Sequence, residues 1–301
     1  MPEQLSVTFP EVIDNSMRSA FVACPQRFMW SSLRKLRPVG GNVHLHAGAT
    51  FAKALEVGRR SFFEEGKPAA QAMADALRGA YEHWGSFEVP EGRENKSIEN
   101  LALALDGYFE QYPLERDPVK PFITPTGKAA VEFSGAFPLD INHPETNNPL
   151  LMAFRFDTLG VYNDSLFVVD EKTASQLGQS WANNWTLDSQ FTTYCAGARS
   201  FGYPVAGAIV RGIGLLKTKI THQQCIIYRP DWVIDRWLAQ LHRDVKRMIA
   251  CWKEGYFDYA LDKSACASYG GCAFVRLCDS PNPENWIDQY YEHNDWDPLH
   301  K

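Results

Sequence analysis

Apolar residues recur at intervals of three and four in the first part of the chain, which is the period of an amphipathic helix. The pattern predicts helices over residues 16–37, 47–65, 69–84 and 97–112. Ser16 is the predicted N-cap of the first helix. The stripe of the third helix consists of Met73, Leu77, Tyr81 and Trp84. We expect these stripes to lie in the core of a helical region that covers residues 16–112.

From residue 128 onward the pattern changes to short apolar runs and to alternation with a period of two, which is typical of β-strands. The predicted strands are residues 130–139, 150–157, 166–173, 205–216 and 220–229. A helix over residues 179–201 separates the third strand from the fourth. A long amphipathic helix from Pro230 to about residue 255 places Trp232 on its inner face. This order predicts an α/β fold, a sheet decorated by the N-terminal helical region.

The composition is that of an ordinary globular protein, since 45% of the 301 residues are hydrophobic and 22% are charged. No apolar run has transmembrane length, and the acidic N-terminus is unlike a signal peptide, so we expect a soluble cytoplasmic protein that contacts no membrane. The net charge of -6 excludes a surface that is basic throughout, but it does not exclude a local nucleic-acid groove. Seven cysteines, an odd number without an export signal, argue against a disulfide framework.

Charged residues follow directly on two of the predicted strands. The third strand ends in Asp170, Glu171 and Lys172, and the second strand ends in Asp157. Alternation along a strand places Asp170 and Lys172 on one face and Glu171 on the other. If the two strands are neighbours, Asp157 and Asp170 come together. Two carboxylates beside a lysine suit a divalent cation that prefers oxygen ligands, together with a phosphodiester.

The spacing of these residues resembles the signature of the PD-(D/E)XK nucleases, in which an acid ends one strand and an acid-x-lysine string ends the next. Asp157 occupies the first position, and Asp170 and Lys172 occupy the second. In the following helix, Gln190 and Tyr194 match the Q-x-x-x-Y motif of the RecB-like branch and lie one turn apart on one face. The resemblance implies a restriction-endonuclease-like fold, with a central mixed β-sheet flanked by helices and a C-terminal cysteine cluster.

Four of the cysteines resemble the ligand layout of iron–sulfur nucleases in that branch. Cys266, Cys272 and Cys278 lie near the C-terminus, and Cys24 lies 242 residues before the first of them. CRISPR-adaptation exonucleases, the nuclease domains of AddB-type helicase–nucleases and phage-encoded relatives share this layout. The resemblance implies a [4Fe-4S] cluster, although four soft thiolates also suit a structural Zn²⁺. The other cysteines are predicted to be small hydrophobic residues within regular elements: Cys195, Cys225 and Cys251.

The chain departs from the family pattern at three places. The last three cysteines have the spacing C-x5-C-x5-C rather than C-x2-C-x5-C, which leaves iron–sulfur and zinc both open. Phe154 stands where a small residue often precedes the first aspartate. Ala52 stands where the early helix of the family carries a metal-binding histidine, and His44 and His46 lie nearby but out of register. The missing histidine predicts a different metal arrangement or weaker activity.

The resemblance implies that Asp157 and Asp170 hold one or two Mg²⁺ or Mn²⁺ ions. Lys172 would position the attacking water and stabilise the charge that develops on the phosphate. Glu132, in an earlier strand, is a third metal ligand in one interpretation and an exposed residue in the other. The side chain of Glu171 is expected on the opposite face, so its backbone carbonyl is the group that would reach the metal.

Gln190 and Tyr194 are predicted to contact the phosphate backbone or to orient the site, and the alternative is a buried pair that packs the helix on the sheet. The implied function is that of a Mg²⁺- or Mn²⁺-dependent deoxyribonuclease. We expect an exonuclease for single-stranded DNA or DNA ends in recombination, repair or phage DNA processing. The chain has no G-x-x-x-x-G-K-[ST] loop, so unwinding would require a helicase or recombination partner.

Two other functions stay open at this point. One is a catalytically weak or inactive nucleic-acid-binding protein that keeps the nuclease fold and the cluster. The other is a zinc-stabilised structural module that binds no nucleic acid. The leading interpretation is a single nuclease domain over residues 1–301. It consists of a helical region at about 16–112, a catalytic core at about 128–255 and a cysteine segment at about 260–280 joined to Cys24.

Overall fold

The computed structural model describes residues 7–216, 219–261, 263–267 and 271–299. Its α-helices are α1 (Asn15–Ala23), α2 (Pro25–Phe28), α3 (Val43–Phe63), α4 (Ala69–Trp84), α5 (Ile98–Gln111), α6 (Gln179–Asn183), α7 (Ser189–Ser200), α8 (Asp231–Glu254), α9 (Lys263–Ala267), α10 (Val275–Cys278) and α11 (Glu284–Tyr290). Its strands are β1 (Val12–Ile13), β2 (Leu36–Pro38), β3 (Lys120–Pro121), β4 (Val131–Asn142), β5 (Pro149–Tyr162), β6 (Ser165–Ala174), β7 (Gly207–Leu215), β8 (Ile220–Tyr228) and β9 (Tyr291–His293). A π-helical segment (Met29–Leu33) follows α2, and a 3-10 turn (Glu94–Lys96) precedes α5.

The chain divides into two compact units. The carboxylate unit, named for its acidic residues, comprises Asn42–Ser134 and Arg155–Ile234. The cysteine unit comprises the residues up to Gly41, Gly135–Phe154 and the residues from Asp235 onward. A single nuclease domain over the whole chain stays a prediction. Residues 262 and 268–270 of the predicted cysteine segment lie outside the described residues.

The carboxylate unit is built on a mixed sheet in which β6 lies between β5 and β7. β6 is antiparallel to β5 and parallel to β7, from the pair Phe167 and Gly207 to the pair Ala174 and Gly214. β7 is antiparallel to β8, and β3 and β4 pair with β5. Because β6 and β7 are parallel, the chain must cross over between them, and α6 and α7 provide that connection.

Helices cover both faces of this sheet. α3 contacts β6 and α5 contacts β7 and β8, while α7 contacts β6 and β7. Side-chain contacts assign the helices to opposite faces, because Tyr108 of α5 hydrogen-bonds Glu171 whereas Phe191 of α7 lies near Lys172. The predicted α/β fold, a central mixed sheet flanked by helices, is therefore confirmed.

The predicted core stripe of α4 is wrong in one position. Tyr81 is 52% exposed. Besides Asp75 and Trp84, the buried residues of α4 are small: Ala72, Ala76, Gly79 and Ala80. These residues let α3 approach closely, since a Cβ added at Gly58 would lie only 3.0 Å from the Cβ of Ala76. Large aromatic residues dominate a sequence pattern, but here the close contact between two helices requires alanine and glycine.

Two predicted helices begin or continue differently in the structure, and one residue of a third helix is exposed where it was predicted to be buried. The side chain of Asp14, not Ser16, caps α1 by accepting a hydrogen bond from the backbone of Met17. That helix ends before Pro25, since proline lacks the N–H that a continuing helix needs. The predicted helix over residues 179–201 is two helices, α6 and α7. Trp232 of α8 is 65% exposed rather than buried.

The cysteine unit contains its own strand pairs. β1 is parallel to the first part of β5, with Val12 opposite Leu151, and β2 is antiparallel to β9. The buried ion pair of Arg18 with Asp244 connects α1 to α8, with a nitrogen–oxygen distance of 2.7 Å. Throughout the described part of the chain, every helix is too short or too polar to cross a membrane.

Candidate active site

A β-hairpin brings the two aspartates of the predicted signature together. β5 and β6 are antiparallel, and Thr158 lies opposite Val169. Asp157 precedes Thr158 and Asp170 follows Val169, so both aspartates lie on the other face of the sheet. Asn163 is one of two turn residues with positive φ, at 46°, as expected for a two-residue hairpin turn that matches the twist of its strands. The predicted pairing of the two strands is present.

Each aspartate has one close polar neighbour from β6. Asp157 Oδ2 accepts a hydrogen bond of 2.9 Å from the backbone N–H of Glu171. Lys172 Nζ lies 2.6 Å from Asp170 Oδ2, in an ion pair. Asp170 is 3% exposed, whereas the side chain of Lys172 is 26% exposed. Asp170 Oδ2 is buried, and the ion pair with Lys172 compensates its charge.

The electrostatics of the pair favour an additional positive charge. Burial raises the pKa of Asp157 well above its usual range, and the charges of Asp170 and Glu171 raise it further. Burial also raises the pKa of Asp170, against the lowering effect of Lys172. Burial alone would lower the pKa of Lys172, but the two aspartates outweigh it and raise that pKa. The lysine therefore stays protonated at neutral pH, and its single charge does not fully compensate both carboxylates.

Glu132 lies close enough to act on both aspartates. Its charge raises the pKa of Asp157 and of Asp170. Its φ is +53°, a left-handed conformation that is uncommon for residues other than glycine. Strained backbone of this type is concentrated at functional sites. The geometry is thus compatible with the interpretation of Glu132 as a third carboxylate of the site, which stays a prediction.

The side chain of Glu171 lies on the opposite face, as strand alternation predicts. It is 1% exposed, forms an ion pair with Arg59 and accepts a hydrogen bond of 2.7 Å from Tyr108. Burial alone would raise the pKa of Glu171, but the charge and hydrogen bonds of Arg59 lower it to about 2. A carboxylate bound in this way is not available to a metal on the other face. The predicted metal contact of Glu171 therefore depends on its backbone carbonyl.

Gln190 and Tyr194 form a hydrogen-bonded pair on α7. Gln190 Nε2 donates to Tyr194 Oη at 2.6 Å, and Tyr194 is 8% exposed. Burial raises the pKa of Tyr194 well above its usual range, and the charges of Asp170 and Asp157 raise it further. The phenol therefore lies near the acid pair. Both predicted roles, orientation of the site and packing of the helix, are compatible with this arrangement.

Two residues near Lys172 were not predicted. Asp188 raises the pKa of Lys172, and the centre of the Phe191 ring lies 5.9 Å from Lys172 Nζ. Asp188 also caps α7 by accepting a hydrogen bond of 2.7 Å from the backbone of Gln190. The signal for Asp188 was its position directly before the Q-x-x-x-Y helix, since aspartate is a preferred N-cap.

The donor chemistry of the site fits a hard divalent cation. Among the residues that the structure describes, no group of three or more His, Cys, Asp and Glu side chains is arranged as a preformed metal site. The available ligands of Asp157, Asp170 and Glu132 are nevertheless carboxylate oxygens, which Mg²⁺ and Mn²⁺ prefer. Asp170 Oδ2 is also buried, with Lys172 Nζ as its close polar neighbour. The residues fit the cation, although they are not preassembled around it.

The two histidines of the early helix α3 are engaged elsewhere or exposed. The ring of His46 stacks on Phe87 with centroids 4.1 Å apart, and its Nε2 lies 3.2 Å from the backbone oxygen of Trp84. His44 is exposed. A Cβ added at Gly48 would lie 3.8 Å from Thr173 Oγ1, so α3 passes the end of β6 at this point.

In the cysteine unit, Cys24, Cys266 and Cys272 lie close enough to Cys278 to act on its thiol. The backbone N–H of Cys272 donates to the carbonyl of Cys266 at 2.6 Å. Burial raises the pKa of Cys278, and the nearby thiols of Cys24, Cys272 and Cys266 raise it further. The indole of Trp30 acts in the opposite direction and lowers that pKa. Four thiols near one another, with an indole N–H beside one of them, are soft donors that suit iron–sulfur or zinc.

Residues 16–279 match the PD-(D/E)XK nuclease superfamily. The chain belongs to this superfamily. Members generally use Mg²⁺ or Mn²⁺ to hydrolyse phosphodiester bonds, in agreement with the donor chemistry described above. The four cysteines and the acid pair both lie within the matched residues.

Two solved structures are similar to the chain at low identity. The first is a candidate exonuclease from Eubacterium rectale, with a TM-score of 0.49 and 13% identity over 85% of this chain and 87% of that chain. The second is a protein named SSO0001, with a TM-score of 0.27 and 11% identity over 64% of this chain and 71% of that chain. No curated protein matches the chain.

Arg59 is a further residue that the sequence prediction missed. It is 7% exposed and binds Glu171 on the reverse face of the sheet. In α3 it follows Phe51 and Leu55 at intervals of four, on the stripe that faces the core. A charged residue on such a stripe indicates a buried partner, because an unpaired guanidinium is costly to bury.

Proposed function

We propose that the chain is a metal-dependent deoxyribonuclease of the RecB-like branch, an exonuclease that hydrolyses DNA from its ends. The observation that carries this proposal is the approach of Asp157, Asp170 and Lys172 at the β5–β6 hairpin, where both acids have a raised pKa. A purely structural ion pair would need one carboxylate for one lysine. Two buried carboxylates beside one lysine leave a negative charge for a cation to neutralise.

Asp157 and Asp170 would hold Mg²⁺ or Mn²⁺, with Glu132 and the backbone carbonyl of Glu171 as further oxygen ligands. The bound ion would polarise the scissile phosphate and lower the pKa of a bound water. The N–H of Glu171 fixes the orientation of Asp157 by its hydrogen bond to Oδ2. That orientation leaves Oδ1 as the oxygen of Asp157 that can turn toward a ligand.

Lys172 supplies the positive charge for the reaction. Its raised pKa keeps it protonated at neutral pH, so it acts as a hydrogen-bond donor and not as a base. Its partial exposure lets Nζ reach a phosphate that approaches from solvent, while it stays beside Asp170. Donors placed where charge develops in the transition state contribute a large part of the rate enhancement of many enzymes.

In this proposal Gln190 and Tyr194 contact the phosphate backbone of the substrate. Gln190 is half-buried, and its amide retains one N–H and its oxygen after donation to Tyr194. Because the pKa of Tyr194 is raised, the phenol stays neutral and does not repel a phosphate. The pair would thus orient the DNA strand next to the carboxylates.

The preferred substrate in this proposal is single-stranded DNA or a DNA end, and the process is recombination, repair or phage DNA processing. The support is the resemblance of Gln190, Tyr194 and the four cysteines to exonucleases of the RecB-like branch. A helicase or recombination partner would supply single strands, since the chain carries no P-loop of its own.

The four cysteines would hold a [4Fe-4S] cluster, with structural Zn²⁺ as the alternative. The nearness of the four thiols and the position of Trp30 beside Cys278 support a thiolate site. An N–H donor near sulfur stabilises a thiolate over a thiol, as a metal centre requires. Absorbance near 400 nm together with iron and sulfide analysis of anaerobically purified protein distinguishes the two metals.

The test is a cleavage assay on end-labelled linear single-stranded and double-stranded DNA with Mg²⁺ or Mn²⁺. The protein is purified anaerobically, and Asp170→Asn is assayed beside the wild type. Asp140→Asn is the matched control, because Asp140 is an exposed aspartate of β4. We expect the wild type and the control to release short products and Asp170→Asn to release none. Labels at the 5′ or 3′ end then give the polarity.

Binding without cleavage by the wild type, with either metal, would contradict the proposal. The catalytically inactive nucleic-acid-binding protein would then be the leading account, and Ala52 would be the first position to test. Absence of both binding and cleavage, with zinc at the cysteines, would favour the structural module.

A further inference from the structure

Arg59 binds the residue that follows each aspartate of the candidate active site. Its Nη1 donates to Thr158 Oγ1 at 2.9 Å, and Thr158 follows Asp157 on β5. Its Nη1 and Nη2 also donate to the carboxylate of Glu171, which follows Asp170 on β6. One guanidinium therefore connects the two strands on the reverse face of the sheet, directly behind the acid pair.

Glu171 makes contacts on both faces of the sheet, which links the Arg59 contacts to the acid pair. Its side chain is held by Arg59 and Tyr108 on the reverse face. Its backbone N–H donates to Asp157 Oδ2 on the face of the acid pair. A shift of the Glu171 side chain therefore moves the peptide group that orients Asp157.

The reverse-face contacts form a closed and charge-balanced network. Tyr108 donates to Glu171 and accepts hydrogen bonds from Arg59 at 3.0 Å and from Arg211 at 3.1 Å. Arg211, directly opposite Glu171 on β7, binds Asp117 through two nitrogen atoms. The side chains of Arg59, Glu171 and Arg211 are 8%, 1% and 2% exposed. The polar groups of these side chains are therefore held by partners in a buried network.

We infer that Arg59 is a positioning residue of the metal site: by joining Thr158 to Glu171 behind the sheet, it fixes Asp157 and Asp170 at the separation that binds the cation. Arg59 does not touch substrate or metal in this role. The inference rests on the proposed function, because it requires that the acid pair binds Mg²⁺ or Mn²⁺. Groups that orient metal ligands commonly change metal affinity by about 10- to 100-fold when they are removed.

A purely stabilising role is the alternative, and the test must separate the two. Loss of Arg59 alone would leave Glu171 as a buried, unpaired charge and unfold part of the protein. The informative variant is therefore the double substitution Arg59→Met with Glu171→Leu, which removes the pair and keeps the volume and the net charge. Buried ion pairs replaced in this way often leave stability unchanged or increased.

The matched control is Arg18→Met with Asp244→Leu in the cysteine unit. Its side chains are buried to a similar degree, at 8% and 9% exposed, and neither the acid pair nor Arg59 belongs to that unit. The measurement is the affinity for Mn²⁺ by calorimetry in the absence of DNA, with melting in EDTA recorded for every variant. The wild type and Asp170→Asn are titrated in the same series.

We expect the Arg59/Glu171 double variant to melt like the wild type in EDTA and to bind Mn²⁺ at least about tenfold more weakly. The Arg18/Asp244 control should bind Mn²⁺ like the wild type. Equal Mn²⁺ affinity of the Arg59/Glu171 variant and the wild type would overturn the inference. A wild type that binds no Mn²⁺, or binds it as well as Asp170→Asn does, would instead overturn the proposed metal site.

If the double variant does not fold, Arg59→Lys provides the second test. Lysine keeps the charge but cannot join Thr158 and both oxygens of Glu171 at once. A folded Arg59→Lys variant should again bind Mn²⁺ more weakly, and wild-type affinity in that variant would overturn the inference.

Discussion

At the level of single residues, burial disfavours the charged forms of Asp157 and Asp170. Burial raises the pKa of both; the charge of Asp170 raises that of Asp157 further, and the charges of Glu171 and Glu132 raise that of Asp170. A group with a raised folded-state pKa contributes stability below its unfolded pKa, and this stability is lost as the pH rises through the folded pKa. The acid pair therefore destabilises the metal-free protein at neutral pH, as functional sites often do.

The first prediction concerns the stability of the Asp170→Asn variant in EDTA at pH 7. Removing one charge should stabilise the metal-free protein by about 1 kcal/mol, because functional sites commonly carry strain of this size. Wild-type protein should gain about 2.7 kcal/mol when Mn²⁺ reaches a hundred times its Kd, and Asp170→Asn should gain nothing. Thermal melting with and without Mn²⁺ measures both effects. A variant less stable than wild type in EDTA would contradict this account of the pair.

The second prediction concerns Glu171, whose pKa is lowered to about 2 by Arg59. A depressed pKa gives stability that is present above the unfolded pKa of about 4.3 and is lost as the pH falls toward 2. Glu171→Gln should therefore be less stable than wild type by about 3 kcal/mol at pH 7, since Arg59 stays buried without its partner. Urea unfolding at several pH values should show this difference shrinking below about pH 4. A constant difference down to pH 2 would contradict it.

At the level of elements, the sequence predicted the strands of the site because they combine apolar runs with charged ends. β6 appears where the pattern places it, whereas β5 continues past its predicted end at residue 157 to Tyr162, and the short turn that follows pairs the two strands. The role of Arg59 in α3 was not predicted, because its partners Thr158 and Glu171 lie far away in sequence. Asp117 was missed for the same reason, because it contacts Arg211 only in the folded protein.

The third prediction compares two glycines of the carboxylate unit. A Cβ at Gly207 in β7 would lie 2.0 Å from the backbone oxygen of Ile227, whereas a Cβ at Gly48 in α3 would meet only Thr173 Oγ1 at 3.8 Å. Gly207→Ala should destabilise the protein by about 3 kcal/mol through separation of β7 from β8. Gly48→Ala should stabilise it by up to about 1 kcal/mol through helix propensity. Denaturant unfolding of both variants checks the pair, and equal effects would show that the strand contact is not rigid.

At the level of the whole molecule, the fold class was predictable, whereas the division into two units was not. Alternating strands and helices indicate a mixed sheet between helices. The cysteine unit, in contrast, is assembled from three separate parts of the chain, including Gly135–Phe154 between its terminal parts. No local pattern reports such an arrangement. Only the cysteines indicated that the two ends of the chain come together, because Cys24 and the three cysteines that begin 242 residues later resemble one ligand set.

The fourth prediction is that the cysteine site stabilises the cysteine unit. A metal centre on Cys24 and the three C-terminal cysteines would close a very long loop and restrain the unfolded chain. Cys24→Ser should lose the absorbance near 400 nm and lower the Tm by roughly 5–10 °C. Cys251→Ser is the control, because Cys251 is a half-buried cysteine outside the predicted ligand set. Equal Tm and equal absorbance in Cys24→Ser and wild type would contradict the assignment.

Cleavage of a phosphodiester bond by the acid pair together with Lys172 is the core of the proposed function. The most direct test is the single-turnover rate of DNA cleavage by Lys172→Met, with Mn²⁺ affinity measured on the same preparation. The exposed Lys128→Met is the control. The account predicts that Lys172→Met still binds Mn²⁺ and DNA but cleaves at least about 10²- to 10³-fold more slowly. Cleavage by Lys172→Met at the wild-type rate would contradict it.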